Sequence, residues 1–333
     1  MITKSFFALV TDEISENKFI SSVKQRSISE LQNNDVLIKV HFSSLNFKDA
    51  LSAKGHKGIT KKYPHTPGVD AAGEIEESNN PNFKVGDRII VTGYELGMNT
   101  DGGFGQYIRV PSNWIVKLPD DISFKEIMYY GTAGYTACIC IYEIIRNEIL
   151  PETGKILVTG ATGGVGSIAV SFLNKLGYHV VASTGKLEQK EFLTNLGAKE
   201  ILSRDEVNDK SNKALLQKRW AAVIDNVGGN TLTTSLKSTL HRAVVCSVGL
   251  VEADTFASSV YPFLLRGVRL IGIDSAESPM DYRLKIWNKI FNELRINNYE
   301  DFSKEIGLNS LNEEIDKILS GKQVGKVILN LFK

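Results

Sequence analysis

The segment TGATGGVGS, residues 159–167, has the composition of an anion cradle: glycines that let a backbone approach a charged group, set between an apolar run and an amphipathic one. A pyrophosphate needs a tight turn out of a strand and the N-terminus of a helix aimed at its charge. Measured against the dinucleotide pattern GxGxxG, Gly163 and Gly166 hold the second and third places, and Ala161 stands where the first glycine belongs. Gly160, Gly164 and Val165 complete the expected phosphate loop. The surroundings have the required order, with the apolar run 156–159 before the turn and HVVAS, 179–183, closing a strand–helix–strand unit.

The nucleotide type is read about 20 residues further on, where an NAD site carries an acid for the ribose 2′-hydroxyl. Here the chain reads Ser183, Thr184, Gly185, Lys186, and Arg204 follows the next strand. Hydroxyls and cations without an acid suit a 2′-phosphate, since charge-assisted hydrogen bonds are the stronger kind. NADPH is therefore expected over NADH. Taken singly, Lys186 and Arg204 also fit a solvated surface.

The elements that must position these groups fall into two textures. Residues 1 to about 125 read as short strands broken by turns (DVLIKVHFSSL, VDAAGEIEES, GDRIIVTGYEL, GFGQYIRVP), which argues for a small barrel-like or sandwich β domain. From Lys155 strands and helices alternate: ILVTG, HVVAS, KEILS, AAVIDNVG, AVVCSVG and RLIGIDS are six apolar strands of a doubly wound parallel sheet. After the glycines, Val165, Ile168, Ala169, Phe172, Leu173 and Leu176 recur at helical spacing, predicting one apolar stripe, with Gly177 as the stop. Two amphipathic helices (YRLKIWNKIFNELR and SLNEEIDKILSG) and a strand (GKVILNLF) end the chain.

Bulk composition sets limits. The 333 residues, 42% hydrophobic and 23% charged, suit two soluble globular domains. A net charge of +1, from 39 basic and 38 acidic residues, provides no field for nucleic acid or an anionic membrane. The apolar stretch before Asp12 and Glu13 is too short for a secretory signal or a membrane span, so cytoplasmic residence is the expectation. Cys138, Cys140 and Cys246 read as buried small hydrophobes.

Several motifs together resemble one family. SSLNFKDAL at 43–51, PGVDAAGEI at 67–75, TGYELGMNTDGGFGQY at 92–107, GTAGYTA at 131–137, the VTGATGGVGS turn and PFLLRGVRLIGIDS at 262–275 are similar to the zinc-independent quinone oxidoreductase and acryloyl-CoA reductase branch of the medium-chain dehydrogenases, the YhdH/YhfP type. The resemblance implies a GroES-like β domain over 1–125, a Rossmann NADP-binding domain over 126–275, and C-terminal helices and strand, 276–333, that return to the first domain. It implies no metal: the positions of the zinc relatives' Cys and His ligands are Asn46 and Val69, and valine offers no donor. No four-cysteine structural lobe is present, and His41, His56, His65, His179 and His241 have no metal-like spacing.

Without a Lewis acid, a conjugated acceptor is the easier substrate. In the family fold the nicotinamide lies between the domains, near NFKD, TDGGFG and GTAGYT. This implies catalytic roles for Asn46, Lys48 and Asp49, with Phe47 and Thr132 beside the cofactor. The competing reading is that Asn46 and Asp49 cap a helix and Lys48 is solvated. Asn226 and Val227, Gly249 and Leu250, Ser275 and Lys326 are further implied cofactor contacts, Lys326 being alternatively an exposed lysine. The basic run Lys54, His56, Lys57, Lys61 and Lys62 could meet CoA phosphates or be a solvated loop. The implied activity is NADPH-dependent reduction of an α,β-unsaturated thioester such as acryloyl-CoA, with a quinone or enone reductase and a non-catalytic NADPH-binding protein as alternatives. The implied partners are a small-molecule substrate and a second copy, a homodimer through the RLIGIDS edge.

Overall fold

The computed structural model describes residues 4–333, so the reading of the N-terminal stretch falls partly on residues 1–3, outside the described ones. The chain forms two compact units. One runs to Thr132 and takes in Ala276–Lys285 and Asn297–Lys333; the other holds Ala133–Ser275 and Ile286–Ile296.

In the first unit, β1 (Ser5–Ser15) and β2 (Lys18–Ser27) pair as an antiparallel ribbon, which the sequence reading did not anticipate. Then come β3 (Val36–Ser44), α1 (Phe47–Ala53), β4 (Asp70–Ser78), β5 (Arg88–Thr92), β6 (Tyr107–Val110), β7 (Ile115–Lys117) and α2 (Phe124–Arg146). α2 is broken at Gly131, and the unit boundary follows at Thr132.

The second unit carries β8 (Ile156–Val158), α3 (Gly164–Lys175), β9 (Val180–Thr184), α4 (Lys190–Asn195), β10 (Glu200–Ser203), β11 (Trp220–Asp225), α5 (Gly229–Lys237), β12 (Thr239–Ser247), α6 (Tyr261–Arg266) and β13 (Arg269–Gly272). α7 (Met280–Lys289) crosses from the first unit's segment into the second's, and β14 (Ser303–Ile306), α8 (Leu311–Leu319) and β15 (Lys326–Asn330) belong to the first.

The first unit's main sheet runs β14-β15-β3-β4-β5-β7, with β6 also on β3. β3 shows why it sits at the centre: Val36, Leu37 and Ile38 are consecutive and fully buried, as is Val40 beyond the half-buried Lys39, a pattern that suits a strand covered on both faces. β15 pairs with its far end, Ile328 opposite Ser44, bringing Lys326 toward the start of α1.

The second unit's sheet is parallel throughout, in the order β10-β9-β8-β11-β12-β13. Numbered within the unit that is 3-2-1-4-5-6, the doubly wound order, whose direction reverses between β8 and β11. The expected stripe on α3 is too narrow, since every residue from Gly166 to Leu173 is buried, while Leu176, expected on the stripe, is the half-buried C-cap; Gly177 ends the helix as predicted, at φ +82°. Among the described residues, no helix is long and apolar enough to cross a membrane, and no group of three or more His, Cys, Asp or Glu is placed to hold a metal ion. The three cysteines are free and buried.

Candidate functional site

In the second unit the glycine-rich turn leaves β8 at the point where strand order reverses, where this architecture places ligands. Gly160 is the residue that takes the left-handed conformation, at φ +57°, and a side chain there would press on Asn226 and Val227. The tight-turn duty expected of the first motif position has thus moved one residue earlier, which is why Ala161 is tolerated in the interior. A Cβ on Gly166 would lie 2.4 Å from the Gly160 carbonyl oxygen, so this glycine allows α3 to seat against the turn. Gly163 caps α3, and the first-turn N–H groups of Gly164, Val165 and Gly166 have no partners within the helix. Bare backbone and unpaired donors at a twelve-residue helix fit a dinucleotide phosphate.

At the end of β9, Ser183 and Thr184 are buried. The Ser183 hydroxyl turns toward the Ser203 carbonyl at 3.4 Å, and Thr184 Oγ1 accepts from the Lys186 backbone N–H at 3.0 Å. These hydroxyls take part in the hydrogen bonds of the turn, and two cations lie near them in the chain. Lys186 is half-buried; burial holds its ammonium below the ordinary lysine value, Glu188 opposing and the like charge of Arg204 adding to the effect. Arg204 is exposed, its guanidinium lying 3.3 Å from where a Cβ on Gly185 would be. Lys186 thus follows Gly185 in the chain and Arg204 lies beside it, with no acid among residues 183–186.

Across β8, the end of β11 carries Asp225, Asn226 and Val227. A Cβ on Gly249 would meet the Asn226 carbonyl at 2.3 Å, so the turns after β11 and β12 lie against each other. Leu250 is 59% exposed, and Ser275, half-buried, lies three residues beyond β13.

In the first unit, Asn46 is the N-cap of α1 and Asp49 its third residue. Asp49 Oδ2 accepts the Asn46 backbone N–H at 2.8 Å, half of a capping box. The other half is diverted, because the Asn46 amide serves a buried cluster instead. Its Nδ2 donates to Asp70 Oδ2 at 2.7 Å, and its Oδ1 accepts from Lys326 Nζ at 2.8 Å. Lys326 also donates to the Leu45 carbonyl at 3.4 Å. Asp70 further accepts from Ser44 Oγ at 2.6 Å and from both the backbone N–H and the hydroxyl of Thr132, at 2.9 and 2.6 Å. Asp49 Oδ1 takes the Val69 N–H at 2.8 Å.

Burial and then the neighbouring Asp70 push Asp49 up to about 7. Burial also depresses Lys326, against the pull of Asp70 and Asp49. Lys326, only 1% exposed, is therefore no surface lysine. Phe47 is 38% exposed at the helix start, and Lys48, half-buried, takes no part in the cluster's bonds. Asp70 and Ser44, central here, carry no spacing signal; an acid inside the apolar stretch VDAAGEI was the one available hint. In the basic run, Lys54 pairs with Asp316 and Lys57 with Glu13, each at 2.7 Å, while Lys61 and Lys62 are exposed.

The chain matches the alcohol dehydrogenase GroES-like domain over residues 32–120 and the zinc-binding dehydrogenase domain over 164–290. It is 44% identical to YhfP of Bacillus subtilis, named as a quinone oxidoreductase, over 93% of this chain and 94% of that protein. To the acrylyl-CoA reductase AcuI of Ruegeria pomeroyi it is 38% identical, over 98% of this chain and 99% of that one. Among solved structures, the Salmonella enterica yhdH oxidoreductase in complex with NADP superposes with a TM-score of 0.94 at 36% identity, covering 98% of this chain and 99% of that one. Bacillus subtilis yhfP with NAD bound superposes at 0.95 with 42% identity, covering 99% and 100%.

Proposed function

Because the chain belongs to the zinc-independent quinone oxidoreductase and acrylyl-CoA reductase family of medium-chain dehydrogenases, we propose that it reduces the carbon–carbon double bond of an α,β-unsaturated thioester with NADPH, converting acryloyl-CoA to propionyl-CoA. The full-length similarity to an acrylyl-CoA reductase carries this reading. The higher identity to YhfP favours the second, reduction of small quinones or enones.

When bound, NADPH supplies the hydride that adds to the β-carbon of the acceptor. The chain's own residues do the rest. The turn after β8 and the N-terminus of α3 hold the pyrophosphate, and Lys186 and Arg204 hold the 2′-phosphate. In the first unit, Asn46 fixes Lys326 and Asp49 by bonding to both through its amide and backbone. Asp49, raised to about 7, is about half protonated at neutral pH and so can both hold and give up a proton there. Lys326 has three N–H donors, of which Asn46 and Leu45 engage two, leaving one for a carbonyl oxygen. Lys48 contributes positive charge at the same helix start.

The working form is a cytoplasmic homodimer, the cytoplasmic part supported by three thiols kept free. The second copy is the occupant that best suits β13, a sheet-edge strand paired on one side with β12. Beside it stand exposed apolar side chains, Leu264 at 76%, Val260 at 63% and Leu265 at 57%.

Paired titrations test the cofactor: NADPH should bind about a hundredfold more tightly than NADH, and the Lys186→Ala/Arg204→Ala variant should erase that preference while leaving NADH affinity within about threefold. Steady-state rates with acryloyl-CoA, a free acrylate derivative and a small quinone test the substrate. The thioester should give the highest kcat/KM, and turnover of quinones alone would overturn the CoA reading.

A further inference from the structure

At the switch point of the nucleotide unit, one polar atom is left without a partner. Asn226 Nδ2 donates to the Thr159 carbonyl at 2.8 Å, and its backbone N–H donates to Thr159 Oγ1 at 3.0 Å. Thr159 Oγ1 in turn donates to Asp225 Oδ1 at 2.7 Å, and Asp225 Oδ2 accepts the Gly228 N–H at 2.8 Å. The orientation of the Asn226 amide is thereby determined, because flipping it would set two carbonyl oxygens against each other. Its Oδ1 is left buried, with no hydrogen-bond partner among the described residues. A buried acceptor without a donor is costly, and a ligand is one way to satisfy it.

Strand order says which part of a dinucleotide that donor belongs to. Lys186 and Arg204 follow β9 and β10 on one flank of β8, and Asn226 follows β11 on the other. A cofactor whose pyrophosphate rests on the turn after β8 and whose 2′-phosphate meets the two cations must send its nicotinamide half toward β11. We infer that Thr159 and Asp225 are positioning residues that hold Asn226 with its Oδ1 presented as an acceptor to a hydroxyl or amide N–H donor on the nicotinamide riboside half of the cofactor. This rests on the dinucleotide reading above. Asp225 suits that role, being fully buried at the strand end and faced by Thr159, Gly228, Val227 and, at longer range, the Glu252 carboxylate. Burial raises it to about 6, which leaves it an ionised acceptor at neutral pH.

The inference is tested by calorimetric binding of two probes, NADPH and adenosine 2′,5′-bisphosphate, to wild type and to the Asn226→Ala, Thr159→Val and Thr159→Ser variants, with thermal midpoints recorded for each. Asn226→Ala and Thr159→Val should weaken NADPH about tenfold and adenosine 2′,5′-bisphosphate less than about twofold, while Thr159→Ser, which keeps the hydroxyl, should restore NADPH affinity. Unchanged NADPH affinity in Asn226→Ala, an equal loss of both probes, or no rescue by serine overturns the inference and leaves the cofactor reading standing. Wild type that binds neither probe overturns both.

Discussion

At the scale of single residues, the first unit concentrates two acids and a lysine where water does not reach, and the proton affinities of Asp49 and Lys326 converge toward neutrality for that reason. The spacing of Asn46 and Asp49 was legible as a helix start, and the structure has that start; the diversion of the Asn46 amide to Asp70 and Lys326 was not, because those partners are 24 and 280 residues away. The arrangement makes stability depend on pH. An acid raised from 3.8 to about 7 binds its proton more tightly folded than unfolded, so its contribution is full below about pH 4 and is lost as pH rises to 7. Asp49→Asn has no such proton to lose. The difference in thermal midpoint, variant minus wild type, should therefore rise by several degrees between about pH 5 and pH 8, whatever its starting value. A difference that stays flat with pH would show that Asp49 is ionised throughout.

At the scale of elements, the chain builds its sites on interruptions. The phosphate turn is legible as glycines between a strand and a helix, yet which glycine bends the chain is settled by the fold: Gly160 takes φ +57°, with Asn226 and Val227 at 3.3 and 3.4 Å from where its Cβ would be. α2 is interrupted in the same manner. Gly131 sits at φ +47°, ψ −151°, and the helix resumes with Asp70 accepting the Thr132 N–H and hydroxyl, as an N-cap from another strand would. A Cβ on Gly131 would lie 2.5 Å from Asp70 Oδ2 and 2.7 Å from Ser44 Oγ. Gly131→Ala should consequently cost about 2 to 4 kcal/mol, through strain and displacement of Asp70, and lower the thermal midpoint by several degrees. A midpoint within about a degree of wild type would mean the break is not held by that contact.

At the scale of the whole molecule, the two units are assembled from interleaved segments: 286–296 joins the nucleotide unit while its neighbours on both sides join the β unit. Local patterns identify those helices but not their destinations, since amphipathic periodicity says that a face is buried and not against what. The proposed pairing with a second copy belongs to this scale too. If β13 and the α6 surface meet their counterparts across a two-fold axis, Leu264→Asp combined with Leu265→Asp should convert a dimer to a monomer in analytical ultracentrifugation, with the thermal midpoint of the monomer reported alongside. A wild-type protein that sediments as a monomer would remove this assembly.

Chain order alone was enough for whatever repeats locally. The parallel strands and their helices, the strand–glycine–helix turn, the acid-free end of β9 and the helix start at Asn46 all follow from spacing over a few residues, because turn geometry and hydrophobic period are short-range constraints. Which polar groups share an interior was settled by the folded chain. Asp70, Lys326 and Thr132 converge on Asn46 and its cluster, and Thr159 on Asp225 and Asn226, through pairings of distant strands. A buried side chain's charge and orientation are set by neighbours that sheet registry brings to it, and spacing along the chain does not name them.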